Sequence, residues 1–413
     1  MNSRERIIAS INHKQADIVP IDLGSTRSSG ISAIAYNNLK KYLGINNGYT
    51  RVYDIVQQLA QPEDNILDMF NVDVLDVGRA YNTEEKDWYD ITLPNGHRVQ
   101  FPAWFKPIRD EEGNLNVYSE DGTLISRMKK DAFFFNQEYY PYLNGFPENY
   151  HSIKEAMDKV QWFKIPASPW DHANDANFWN DLREKALYLR KNSDRALVIC
   201  SGCSLFESGN YLRRMDNFLM DIYTSPKETE RFLDVLVEQY LALLEKVCET
   251  VGDVVDIIRF SDDLGMNQAP FMSPEVYRKI FKPRHALLCD YVKKHSKMYI
   301  FLHSCGSIYK LLPDLIEAGF DIINPVQTTA KDMEPSKLKK EFGNDITFWG
   351  GGCNTRSILN RATPKEVKDY VKRQLEVFAP GGGYVFNQEH NILPDVPPEN
   401  IIAMFEAVRE FSF

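Results

Sequence analysis

The sequence predicts a single α/β domain over residues 1–413, a (β/α)8 TIM barrel with a β-rich insertion after its second strand. Three observations carry that prediction. Eight short apolar runs recur along the chain, and amphipathic segments with helix-start chemistry separate them. No G-x-G-x-x-G turn follows any run, which removes the usual reason to choose a doubly wound sheet.

The runs are IVPIDL (18–23), VDVLDV (72–77), ALVICS (196–201), VVDIIRF (254–260), MYIFLH (298–303), DIINPV (321–326), DITFWG (345–350) and YVFN (384–387). Each is short, largely β-branched or aromatic, and nearly continuous in apolar character, as strands buried on both faces of a parallel sheet are. Helices are announced between them. Ser225-Pro226-Lys227-Glu228, Ser273-Pro274-Glu275 and Thr363-Pro364-Lys365-Glu366 each set a capping hydroxyl before a proline, with acidic residues in the first turn. From Lys227 to Val251 apolar residues then recur at helical spacing. The stretch 82–166 departs from this alternation. Its PNG (94–96) and EDG (120–122) turns lie between alternating segments such as WYDITL and TLISRM, the signature of hairpins. The aromatic residues at its end, DAFFFNQEYYPYL, are expected to serve packing, with a lid over the barrel mouth as the alternative.

Composition narrows the function. A formal charge of −10 without any basic cluster argues against a nucleic-acid surface. The charged N-terminal stretch MNSRERIIASINHKQ and the lack of an eighteen-residue apolar run predict a cytoplasmic protein without membrane contact. Six unpatterned cysteines suit a reducing compartment, where thiols stay free to bind metal. A homodimer is compatible with all of this.

In such barrels the site lies at the C-terminal ends of the strands. Chemistry-bearing residues gather there: Arg27, Cys203 with Glu207 and Tyr211, Asp262-Asp263, His303 and Cys305, Gln327, Cys353, and Glu389-His390. His303 and Cys305 stand two positions apart as an apolar run ends, so in an extended segment they face the same way. With Cys353 they make a candidate zinc site, Gly350–Gly352 allowing the backbone to bend inward. Glu389 and His390 are reserve ligands. Asp262, Asp263, His390 and Tyr211 are candidates for catalysis, and Arg27, Glu207 and Gln327 for substrate binding. For the aspartates the alternative is helix capping or an ion pair with Arg259 or Arg284.

Two long stretches carry a resemblance. YVFNQEHNILPDVPPENI (384–401) resembles the C-terminal signature of the uroporphyrinogen decarboxylase superfamily. RFSDDLGMNQAPFMSPEVYRKIFKPRH (259–285), followed by FLHSCG, is similar to its cobalamin-dependent methyltransferase-like members. True decarboxylases of the superfamily grip a tetrapyrrole's carboxylates with an N-terminal RQAGRY stretch; here GSTRSSG (24–30) offers only Arg27. The methyltransferase branch binds Zn2+ through a His-x-Cys pair, which His303 and Cys305 match, and a later cysteine. In the coenzyme M type that cysteine lies in an APGCG loop; here APGGG (379–383) has Gly382 in its place, leaving Cys353 as the substitute.

The resemblance therefore implies a zinc-dependent methyltransferase. It would move a methyl group between a small methyl donor or acceptor and a methylcobamide carried on a partner corrinoid protein. The alternatives are a carboxy-lyase of tetrapyrrole metabolism and a non-catalytic barrel that binds a tetrapyrrole or corrinoid protein.

Overall fold

The computed structural model describes residues 1–93 and 95–413; Pro94, which opens the expected 94–96 turn, lies outside the described residues. Seven parallel strands run side by side in chain order: Val74–Asp76, Ala196–Gly202, Ile257–Ser261, Tyr299–His303, Ile322–Asn324, Thr347–Trp349 and Tyr384–Val385. Residues 20–22 close the ring. Asp22 N–H donates to Phe386 O (2.9 Å) and Phe386 N–H to Pro20 O (2.8 Å), while on the other side Asp73 N–H donates to Ile21 O (2.8 Å). The closing segment was expected as a full strand, and it is only an isolated bridge. Pro20 has no N–H to give, and the Ile21 N–H is taken by the Asp73 carboxylate at 2.9 Å, so no ladder extends.

Side chains alternate along each strand, which sorts the barrel interior into layers. The lower layer is apolar: Val74, Val198, Ile257, Phe301, Ile322, Trp349 and Val385 pack together, and Ile7 and Ile11 of the helix Ser3–Ile11 plug them from below. Two residues further along the same strand faces come Asp76, Cys200, Arg259, His303 and Asn324. The upper layer is thus polar, with a dry floor beneath it.

The expected helix starts hold at their prolines, but the Ser225 hydroxyl makes no capping hydrogen bond, unlike those of Ser273 and Thr363. Pro226–Val251, Pro274–Val276 and Pro364–Phe378 begin at the expected prolines, and Thr363 and Glu366 form a reciprocal capping box. Between Val74–Asp76 and Ala196–Gly202 the chain builds two antiparallel sheets. Trp88–Thr92 pairs with Arg98–Pro102, and a four-stranded sheet follows whose central strands, Leu115–Tyr118 and Leu124–Met128, turn through Gly122 at φ 83°. Short helices, Ile153–Met157 and Gln161–Lys164, then bring the chain back over the barrel. Among the described residues no helix is long and apolar enough to cross a membrane.

Candidate active site

A cavity of about 520 Å³ opens over the polar layer at the C-terminal strand ends. Arg27, Glu207, Tyr211, Asp263, His303 and His390 all line it, and the strands supply Asp76, Cys200 and Arg259 beneath them. Met157, Trp162 and Phe163 form part of its wall. These residues lie outside the aromatic stretch 131–143, none of which lines the cavity; Phe135 and Tyr142 of that stretch pack into the core.

At one side His303, Cys305 and His390 converge, their donor atoms all within 4.8 Å of one another. Each is held from behind. His303 Nδ1 lies 2.7 Å from Asn324 Oδ1, which can only accept, so Nδ1 carries the proton and Nε2 presents a lone pair. That Nε2 is 3.5 Å from Cys305 Sγ. The Asn324 side chain is itself fixed, donating to Trp349 O at 2.8 Å and accepting from Ser28 Oγ at 2.7 Å. Asp263 Oδ1 accepts the Cys305 N–H at 2.8 Å and stands 3.6 Å from His303 Nε2. The loop carrying His390 is pinned to the 29–32 segment: Ile392 N–H donates to Gly30 O (2.9 Å) and Gly30 N–H to Asn391 Oδ1 (2.9 Å). The His390 ring meets that of His303 edge-on, centroids 5.6 Å apart.

Burial sets the charge states. It pushes His303 down to about 3, with the Arg259 charge adding to the effect, and it lowers His390, helped by His303. Both imidazoles are therefore neutral and able to ligate at ordinary pH. Burial, then the charges of Asp263 and Asp262, raise Glu207 well above the ordinary carboxylate range. Its oxygens accept from Tyr211 OH (2.7 Å) and Ser261 Oγ (2.6 Å). Arg27 Nε is paired with Asp54 at 2.9 Å, so little of its charge is left for a ligand.

Four expectations are corrected. Cys353 does not join His303 and Cys305; His390 takes that place. The glycines take left-handed backbone as expected, with Gly350 at φ 125° and Gly351 at φ 69°, but Cys353 does not line the cavity. A Cβ on Gly350 would lie 2.2 Å from Pro325 O, so no side chain fits there, and Cys353 is fully buried in the main apolar core, near Glu389. Asp262 does not reach the cavity. It accepts the N–H groups of Leu205, Phe206 and Glu207 at 3.2, 3.1 and 2.9 Å and meets His285 Nε2 at 3.0 Å, so it anchors the helix Phe206–Arg213. Gln327 is likewise structural, accepting from Gly306 N–H at 3.1 Å and donating to Asn267 Oδ1 at 3.0 Å. The reserve ligand Glu389 points away as well, bonded to Thr328.

Asp76 and Arg259 were not singled out, although each breaks an apolar run at a position of inward parity, which is the signal that would have found them. Burial raises the Asp76 carboxyl to about 7. Its folded pKa is above its unfolded value, so its contribution to stability is full below pH 4 and is lost as pH rises towards 7. We expect Asp76→Asn to flatten the fall in stability between pH 4 and 8. At pH 8 the variant should be the more stable by up to a few kcal/mol, at about 1.4 kcal/mol per pKa unit. Urea unfolding at stepped pH checks this, and parallel profiles for the two proteins would contradict it.

The comparisons with known proteins agree with this architecture. The family model described as uroporphyrinogen decarboxylase (URO-D) matches residues 189–411, more than half of the chain. A uroporphyrinogen decarboxylase of Methylococcus capsulatus is 32% identical over 101 residues, 24% of this chain and 27% of that one. That of Hydrogenovibrio crunogenus is 26% identical over 194 residues, 46% of this chain and 51% of the relative. The matched regions thus span from about a quarter to half the length of these relatives. A solved methyltransferase from Methanosarcina mazei superposes over 100% of this chain and 99% of its own, with a TM-score of 0.59 at 16% identity, a likeness of fold. On the family match and the closed barrel that carries it, the chain belongs to the uroporphyrinogen decarboxylase (URO-D) family.

Proposed function

We propose that the protein is a zinc-dependent methyltransferase that moves a methyl group between a small substrate and a corrinoid protein. The observation that carries the reading is the convergence of His303, Cys305 and His390 on one point at the cavity wall. Two neutral imidazoles and a thiol, with the Asn324 amide oxygen holding one ring, are a donor set that suits zinc. The ion would supply Lewis acidity, lowering the pKa of a thiol or hydroxyl that it carries.

The chain's own groups prepare the site. Asn324 keeps the lone pair of His303 Nε2 turned to the cluster, and Asp263 holds the Cys305 backbone in register. Glu207, protonated by its buried setting, holds a proton at the cavity edge with Tyr211 and Ser261 fixing its orientation. Trp162 and Phe163 add apolar surface to the cavity wall. The partner corrinoid protein would meet this open side of the barrel.

The carboxy-lyase reading draws on the family name and on Asp76 at the cavity floor. The charge of the cavity opposes it. Asp263 lines the same space as Arg27 and Arg259, Arg27 is already paired, and the buried Asp76 and Glu207 add no positive charge. One free guanidinium cannot offset a substrate with many carboxylates.

Two measurements separate the readings. Protein purified without added metal should carry about one zinc per chain, and the zinc-loaded form, given a small thiol as acceptor, should move the methyl group from a methylated corrinoid protein to the thiol sulfur and leave Co(I), followed by the cobalt absorption spectrum. Metal-free protein that converts uroporphyrinogen efficiently would establish the carboxy-lyase instead.

A further inference from the structure

Arg259 is 6% exposed, lies in the polar layer of the barrel interior and lines the cavity. Among the described residues its side chain has no hydrogen-bond or ion-pair partner, and its Nε is buried without one. Such a group is costly. A buried cation normally has a carboxylate or several acceptors around it, and leaving it bare destabilises the fold. Asp76 is near enough to feel the Arg259 charge, but it makes no hydrogen bond or ion-pair contact with it and bonds the Gly78 N–H instead. The ion pairs considered from the sequence are also absent: Asp262 is occupied by the helix and by His285.

We propose that Arg259 is the anion-recognition residue of the substrate site, taking the carboxylate of a small monocarboxylate whose apolar body lies against Trp162 and Phe163. A single unpaired guanidinium, with Arg27 held by Asp54, matches one negative charge. Its planar fork suits a carboxylate bidentately. Arg259 and His303 lie on adjacent strands, Arg259 opposite Phe301 in register. Strand spacing and rise put their Cα atoms about 8 Å apart, so a molecule anchored on Arg259 reaches the His303 cluster with only a few bonds. The inference rests on the cavity being the substrate site and not on the metal.

The test uses benzoate and its neutral isostere benzamide as probes, titrated into the whole protein while tryptophan fluorescence is followed, since Trp162 and Trp170 line the cavity. Benzoate should bind at least tenfold more tightly than benzamide. Arg259→Met should abolish that preference and yet unfold at a higher temperature than the parent, because a bare buried charge has been removed. Arg259→Lys should keep part of the preference. Equal binding of the two probes, binding of neither, or a preference that survives Arg259→Met overturns the proposal, as does a destabilised Arg259→Met variant. Zinc content is read on the same samples. A metal-free parent that prefers benzoate would sink the methyl-transfer reading alone, and a zinc-bearing parent without the preference would sink this one alone.

Discussion

Replacing His390 or His303 with alanine is expected to lower zinc affinity by on the order of a hundredfold or more and to end methyl transfer, while the barrel stays folded. Both rings sit at the cavity wall, above the apolar layer built from Ile257, Phe301 and their neighbours, so their loss removes donors and little packing. The residue behind them matters too. Asn324→Ala would leave His303 Nδ1 without its acceptor and free the ring to turn, which should weaken binding by about ten- to a hundredfold. Competition with a chromogenic chelator measures each affinity. Equal affinity in His390→Ala and the parent would remove His390 from the set, whatever the activity.

A second large effect is expected at Asp262, in stability and not in chemistry. Its side chain is fully buried and satisfies three backbone N–H groups at the start of the helix Phe206–Arg213, besides His285, whose other nitrogen meets Tyr277 OH at 3.0 Å. Asp262→Ala would orphan those donors together. Breaking a buried charged network of this kind costs about 3–5 kcal/mol. The urea midpoint should fall accordingly, and Glu207 and Tyr211, which ride on that helix, should lose their positions. A midpoint within error of the parent would show that the network is not what holds the helix. Asp263→Ala, one position along and lining the cavity, should cost far less stability.

These two neighbours show what could be read from sequence and what could not. The apolar runs are legible because burial on both faces of a parallel strand demands continuous apolar character, and the barrel follows from their number. The His303–Cys305 pair is legible from strand parity alone. Asp262 and Asp263 are not separable that way: each follows the strand by a step, and which one enters the cavity depends on where a helix from another part of the chain begins. Cys353 fails for a related reason. Glycines grant freedom to bend without giving the direction, and here Cys353 ends in the main core. His390 gains its place from the 29–32 segment, more than three hundred residues earlier in the chain, a long-range tie that no local pattern records.

The central claim is that the metal centre holds one cysteine and two histidines. X-ray absorption at the zinc edge, on protein loaded with one equivalent of zinc, counts sulfur against nitrogen in the first shell. One sulfur, with outer-shell scattering from imidazole, is the result expected for Cys305, His303 and His390, and Cys353→Ser should leave the spectrum and the affinity unchanged. Two sulfurs, one of them lost in Cys353→Ser, would contradict it.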